Sequence, residues 1–560
     1  MRGVFFSVGD VDNTPMPDVE VPVLIVGGSM VGLSTALFLA QHGIESLIVE
    51  RHDGTAIHPR AGHFHLRTLE LLRSVGLEQA VRTTSEERFF PNGGINAVET
   101  LAGGEMISYI PDLNDGVAEF SPSRRLFVAQ HALEPLLRHR AEELGATLRY
   151  ATEAMSVDQD DDGVTAGIRD CATGAQRTVR ARYLVAADGN RSPIRQRLGI
   201  GMRGYGVLSN SATIYFRADC RALLQGSDLG VIYVFNDAVR GFFRFEKSGT
   251  SGFLAVNTLG DPTRPGALDV TDGLTTQRAA DLVRAAIGVP DMPVDVEDVA
   301  HWQATADVAE RYQHGRVFLV GDAAHALPPN GGYGGNTGIQ DAHNLAWKLA
   351  MVIRGTAGDE LLASYDAERR PVGELTIEQA YTRYARRVTP ELAPEDLPPL
   401  VDDFSMEIGY RYHSPAVLPD PGAVQNGAVV GHPRSSGGAP GTRAPHVALR
   451  AEGQPASTLD LLGDGVVVLA GPDGQAWCEA ARSAGSQLGV PIRAHTVGID
   501  VEDPQRSFGP AYGVCDSGAV VVRPDGFVGW RSRNGTTDPE QALLGALRTL
   551  LSTPDRLEMA

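Results

Sequence analysis

The chain of 560 residues carries 49 lysines and arginines against 69 aspartates and glutamates, a formal charge of −20, and 42 % of its residues are apolar. At about 150 residues per domain this allows three or four folded units with cores of their own, while so negative a surface repels nucleic acid and anionic membranes as partners. Cys171, Cys220, Cys478 and Cys515 stand apart with no C-x-x-C pair, so no zinc ribbon, dithiol centre or other metal site is expected, and the setting is read as a reducing cytoplasm.

Residues 1–19 lack the pattern of a signal peptide and read as a flexible leader. No apolar run nears the ~18 residues of a membrane helix. Val21–Val26 is a continuously apolar run, as a buried parallel strand should be. It leads into Gly27-Gly28-Ser29-Met30-Val31-Gly32, a helix from Met30 to His42 closed by Gly43, and a second strand, Leu47–Val49, that ends at Glu50 and Arg51. Strand, glycine turn, helix, strand and acid make a dinucleotide-binding βαβ unit. Gly27 permits the tight turn, Gly32 lets the helix approach the strands, and the helix N-terminus offers free N–H groups to a pyrophosphate. Glu50 lies 23 residues after Gly27, where a carboxylate can hold the adenosine ribose. One position departs from the fingerprint: its second glycine is Ser29.

A strand from Tyr183 ends at Asp188-Gly189 before a helix start at Ser192 and Pro193. A third, Val317–Val320, runs into Gly321-Asp322, then His325, Pro329 and a helix from about Ile339. Gly331–Gly338 holds five glycines, a backbone surface that can lie close to a flat ring over a helix dipole. His325 reads as a structural hydrogen-bonding residue.

In order and spacing these segments resemble the GxGxxG, DG and GD motifs of the single-component FAD-dependent aromatic hydroxylases, the p-hydroxybenzoate and phenol hydroxylase group. The pattern is nearest to the aromatic polyketide hydroxylases of antibiotic pathways. The resemblance covers the chain from about residue 20 and is most specific over GDAAH…PPNGGYGGNTGIQDAHNLAWKLA. It implies a Rossmann-like FAD-binding domain (20–200 and 301–395) interleaved with a mostly antiparallel substrate domain (201–300), and a thioredoxin-like C-terminal domain (451–560) after a Pro/Gly-rich linker (396–450). It places Gly27, Gly28, Ser29, Met30, Val31 and Gly32 at the FAD pyrophosphate with Arg60, and Glu50 with Arg51 at the adenosine. Arg125 and Gln130 fall near the flavin, although the serine usual before that glutamine is Ala129 here. Asp188 belongs where FAD and the nicotinamide pass, Gly321 and Asp322 at the ribityl chain, and Pro329, Gly334, Gly335, Asn336 and Thr337 at the isoalloxazine.

The implied chemistry is a monooxygenation. NADPH or NADH reduces the flavin, O2 converts it to a C4a-hydroperoxide, and the distal OH passes to an electron-rich aromatic carbon, the protein supplying orientation and a dry site. No second GxGxxG unit follows and Trp302, Trp347, Trp477 and Trp530 are isolated, which speaks against a disulfide-reductase or halogenase pattern. Baeyer–Villiger or epoxidising use of the same oxidant stays open, as does a non-catalytic flavin-binding accessory role. Short aromatic runs at 212–216, 230–235, 241–245 and 252–256 read as an antiparallel sheet roofing the flavin. From it Tyr233, Phe235 and Phe243 are the candidate contacts to a small aromatic, polyketide-like substrate, joined by Arg386 with its neighbour Arg387. The C-terminal unit lacks a dithiol, so its expected role is structural or oligomerising, compatible with a homodimer.

Overall fold

The first βαβ unit is laid down by the apolar run at the N-terminus: β1 (Val19–Val26), α1 (Met30–Gln41) and β2 (Ser46–Val49). After them come β3 (His63–Phe64), α2 (Leu66–Ser74), α3 (Glu78–Arg88), β4 (Gly94–Val98), β5 (Glu105–Ile110), β6 (Leu126–Phe127) and α4 (Gln130–Glu143). The first half closes with β7 (Thr147–Arg149), β8 (Thr152–Gln159), β9 (Val164–Asp170), β10 (Gln176–Ala186) and α5 (Pro193–Arg197). The computed structural model describes residues 18–57, 62–224, 228–258, 269–390, 393–423, 427–463 and 465–553.

The second half begins with β11 (Met202–Arg217), α6 (Arg221–Leu224), β12 (Leu229–Phe235), β13 (Arg240–Phe245), β14 (Ser251–Asn257), α7 (Thr276–Ile287) and β15 (Asp295–Ala309). The chain then returns through β16 (Gln313–His314), β17 (Val317–Leu319), β18 (His325–Ala326), α8 (Tyr333–Ile353), α9 (Ala363–Val388) and α10 (Asp403–Ile408). The tail holds the hairpin β19 (Ala448–Ala451) and β20 (Gln454–Ser457), then β21 (Val466–Ala470), α11 (Gln475–Leu488), β22 (Ile492–Thr496), α12 (Phe508–Tyr512), β23 (Ala519–Val522), β24 (Val528–Ser532) and α13 (Pro539–Leu550).

Among the described residues three larger sheets result, beside the two-stranded pairs β3–β6 and β19–β20. In the first, β17, β10, β1, β2 and β7 run parallel in that order, with β16 and the β8–β9 hairpin attached antiparallel. Its strands carry no polar alternation because helices cover them; Val23, Leu24, Ile25, Leu184 and Val185 are wholly buried. The second sheet, in the order β18-β15-β11-β14-β13-β12-β4-β5, is antiparallel except where β4 joins β12. It recruits β4 and β5 from inside the segment expected to be pure FAD domain, so the substrate roof is wider than residues 201–300. Its long return strand β15 and the covering helix α7 gave no clear pattern in the sequence.

The C-terminal sheet orders β22-β21-β23-β24, with β21 and β22 parallel around α11 and β23 and β24 antiparallel before α13. This βαβ–ββα arrangement is the thioredoxin-like unit expected. The described residues of 396–450, expected as a linker, instead pack closely, with Met406, Glu407, Tyr410, Tyr412 and Arg443 buried. Among the described residues no helix is long and apolar enough to cross a membrane, and no group of three His, Cys, Asp or Glu is placed to hold a metal.

Candidate active site

The three motif segments meet at the carboxyl ends of β1, β10 and β17. Gly27 has φ +108°, and a Cβ there would lie 2.2 Å from the carbonyl oxygen of Ala187, while one on Gly32 would lie 1.9 Å from that of Gly27. Both glycines are therefore required by close backbone approach, Gly27 also by its conformation. The GD turn closes on the same point. A Cβ on Gly338 would fall 2.6 Å from Cγ2 of Val31 and 3.0 Å from Cα of Gly321, so α1, the turn and α8 share one small-residue contact.

Ser29 departs from the fingerprint for a visible reason. As the cap of α1 its hydroxyl donates to Glu134 of α4 at 2.7 Å, and the Met30 N–H donates to the same oxygen at 2.9 Å. Gln130 donates to Glu134 at 2.8 Å, and the Ala56 N–H to its other oxygen at 2.6 Å. Glu134 is wholly buried. A carboxylate at a helix N-terminus is favoured by the dipole, and here it ties the phosphate turn to Gln130. Sequence reading passed over Glu134, although it lies one helical turn beyond Gln130 on the same face.

Glu50 closes the second strand, accepting from the Gly28 N–H at 2.7 Å and from the His52 N–H at 2.9 Å; Arg51 beside it is exposed. Arg60 lies outside the described residues. Asp188 accepts from the Ile194 N–H at 3.2 Å, its Oδ1 is buried without a hydrogen-bond partner among the described residues, and burial pushes its carboxyl up from the usual range. Asp322 is exposed on its turn, as is Pro329.

The glycine stretch is not a loop throughout. Helix α8 begins at Tyr333, about a turn and a half before the expected Ile339, so Gly334, Gly335, Asn336 and Thr337 form its first turn and their N–H groups are the free ones of a helix N-terminus. Nothing lies within 4 Å of a Cβ built on Gly334, so this turn faces open space. Asn336 pins it: its side chain accepts from the His65 N–H at 2.9 Å and the Thr68 hydroxyl at 2.7 Å, and donates to the carbonyls of His63 and Gly332 at 2.9 and 2.7 Å. Thr337 is buried and its carbonyl accepts from Arg369. His325 is structural, buried at 2.6 Å from Asp341, which Arg369 also engages. Arg125 is committed to a buried ion pair with Glu407 at 2.8 Å.

Roof residues divide by strand parity. Tyr233, Phe235 and Phe242 share the face turned toward the glycine turn, with Tyr233 stacked on Phe235 and edge-on to Tyr109. The Asn330 amide reaches the Tyr233 hydroxyl at 3.4 Å. Phe243 points the other way. It is wholly buried against Phe216 and Phe245 in the core beneath α7, so it leaves the set of substrate contacts. Arg386 leaves it too, being exposed and bonded to the Pro398 carbonyl. One residue further round α9, Arg387 lies over the rings of Tyr109 at 4.6 Å and Tyr233 at 5.5 Å, with Nη1 3.5 Å from the Tyr233 hydroxyl.

At the other end of this face Arg244 is buried between Phe89 and Phe127, 4.3 and 4.9 Å from their centroids. Among the described residues its Nε and Nη2 have no hydrogen-bond partner, and burial lowers its pKa to about 9. Neither Arg244 nor Arg387 is in a salt bridge among the described residues. The aromatic chamber thus carries two guanidiniums, and the pKa of His63 beside Phe127 is lowered well below the ordinary value by burial and by the nearby His65, Arg125 and Arg244.

Residues 20–380 match the model of the FAD binding domain family, and residues 437–554 match the aromatic-ring hydroxylase C-terminal family. The chain is 66 % identical over 542 residues to a 4-methyl-5-nitrocatechol 5-monooxygenase of Burkholderia sp, covering 96 % of this chain and 99 % of the relative. It is 42 % identical to the tetracenomycin B2 monooxygenase-dioxygenase of Streptomyces olivaceus, over 96 % of this chain and all of the relative. The crystal structure of aklavinone-11 hydroxylase with FAD and aklavinone superposes with a TM-score of 0.89 at 37 % identity, covering 96 % of this chain and 100 % of that one. With its glycine cradle, open first turn of α8 and aromatic roof, this chain belongs to the FAD-dependent aromatic-ring monooxygenases.

Proposed function

We propose that the substrate is a monocyclic nitrocatechol, with 4-methyl-5-nitrocatechol as the reference compound, and that oxygen enters at the carbon bearing the nitro group. The observation that carries this is the 66 % identity along nearly the full length of a relative named for that reaction, against 42 % or less for the polyketide enzymes reported above. A chamber with two guanidiniums outside any salt bridge among the described residues supports it, because such a chamber favours a substrate that is already an anion.

The residues present fit FAD. The Gly27–Gly32 turn and Arg60 would hold the pyrophosphate, Glu50 the ribose, and Asp188, Asp322 and the Gly334–Thr337 turn the ribityl-flavin half, with Gln130 and Arg125 behind it. Bound FAD would take two electrons from NADPH or NADH and activate dioxygen. The chain itself orients the ring between Tyr233, Phe235 and Phe242 and keeps water out. Arg387 favours the ionised form of the hydroxyl that it faces. That phenolate feeds electron density to its para carbon, the nitro-bearing one. When oxygen bonds there, the C–N bond breaks, nitrite leaves with the electron pair, and a hydroxymethylbenzoquinone remains. Substrate, O2 and NAD(P)H thus give quinone, nitrite, water and NAD(P)+.

The test is nitrite release by purified holoenzyme in air. One nitrite per NAD(P)H consumed with 4-methyl-5-nitrocatechol is expected. Oxidation of a polycyclic phenol with no nitrite from the nitrocatechol would return the substrate to the polyketide class.

A further inference from the structure

The C-terminal domain has no evident chemistry: Cys478 is buried and Cys515 stands alone. Yet its β23–β24 turn, Arg523 to Gly526, is driven into the FAD domain behind the flavin-facing turn of α8. Arg523 grips Glu368 of α9 through both oxygens, at 2.6 and 2.8 Å. Glu368 also accepts from Asn344 and Lys348 of α8, each at 2.8 Å, and from Ser414 at 2.6 Å. Asp525 accepts from Asn344 at 3.2 Å, and its carbonyl accepts from Arg67 of α2. Glu368 and Lys348 are at most 1 % exposed, Arg523 and Asp525 2 %.

Both helices held this way support Asn336, the residue that pins the first turn of α8. Asn344 lies eight residues after Asn336 on α8, about 12 Å along the axis. Thr68, whose hydroxyl bonds Asn336, is the residue after Arg67 on α2. A buried set of two cations and two anions is a poor source of stability, since apolar side chains of like volume often serve as well or better. What its hydrogen bonds do is tie one turn of the C-terminal domain to α8 and α9 at the same point.

We propose that Arg523 and Asp525 are positioning residues for FAD: the C-terminal domain sets the register of α8 against α2, and through Asn336 the geometry of the Gly334–Thr337 turn. The C-terminal domain is then a remote part of the cofactor site.

The test compares holoenzyme variants at a temperature well below their melting points. Glu368→Gln with Arg523→Met removes one charge of each sign and leaves Lys348 and Asp525 balanced. Arg531→Met breaks a different ion pair of the C-terminal domain, that with the half-buried Asp420 of the preceding 396–450 segment, in which neither side chain is hydrogen-bonded to α2 or α8 among the described residues. The FAD dissociation constant should rise at least about tenfold in the double variant, the scale on which lost outer-shell support weakens a bound group. It should stay within about threefold in Arg531→Met, and the bound flavin's visible band should change shape only in the former. Equal FAD affinity in the double variant and the wild type, or equal loss in both variants, overturns the proposal. If the double variant does not fold, Asp525→Asn is read on the same scale with the same two outcomes.

Discussion

Arg386 and Arg387 are adjacent in sequence and about 100° apart on α9, and only one of them can face the roof. The guanidinium of Arg387 lies over Tyr109 and Tyr233, whose rings hold it by cation–π contact where, on the proposed function, its charge would stabilise a substrate phenolate. Arg387→Met should therefore raise KM for the nitrocatechol at least about tenfold, or roughly 1.4 kcal/mol. It should also shift the ionisation of the bound substrate, read from nitrophenolate absorbance, to higher pH. Arg386→Met should leave both unchanged; an equal effect from the two would refute the assignment. Phe243 teaches the same lesson on a strand. Its apolar character was legible, but its face was not, because strand alternation says which residues go together and leaves open which set meets α7. Glu134 was missed for a third reason: its partners Ser29 and Met30 lie 105 and 104 residues away.

Helix α8 shows how an element can be recognised while its start is misjudged. Five glycines argue against helix by propensity, each at about 1 kcal/mol relative to Ala, so the sequence places the helix start near Ile339. Tertiary contacts override the cost at the three glycines inside α8, Gly334, Gly335 and Gly338: Asn336 locks the first turn to α2, and Gly338 makes the close approach to Val31 and Gly321. Gly338→Ala would push its methyl to 3.0 Å from the Cα of Gly321 and 2.6 Å from a Val31 methyl. Overpacking of this kind costs about 1–3 kcal/mol. Here it should appear as loss of FAD on gel filtration more than as a drop in melting temperature. A variant that keeps its flavin stoichiometrically would show that α1 and α8 can separate without harm to the site. The parallel strands and the thioredoxin-like unit were legible because buried apolar runs and short connections are local features. β15 and α7 were not, and the membership of β4 and β5 in the roof depends on a pairing across more than 120 residues.

Across the whole molecule one hydrophobic core runs from β1 through α8 into β21, α11 and α13, so the C-terminal domain packs as a continuation of the FAD domain. Burial lowers the pKa of several imidazoles from the ordinary 6.5, among them His63, His65 and His343. Below pH 6.5 the unfolded chain binds protons that these folded imidazoles refuse, so stability must fall as pH drops through that value. The urea midpoint should decline between pH 7.5 and 5.5, and His343→Leu should flatten part of the slope; a midpoint independent of pH would mean that the imidazoles are not buried neutral. By itself the sequence determined the cofactor and the chemistry class, because glycine turns, strand-ending acids and apolar runs act through neighbouring residues and a helix dipole. Which arginine and which aromatic side chains line the roof, and how the C-terminal domain is tied to α8 and α9, only the tertiary structure decided. Those answers depend on helical phase, sheet face and buried ion pairs between residues far apart in the chain, none of which leaves a local trace.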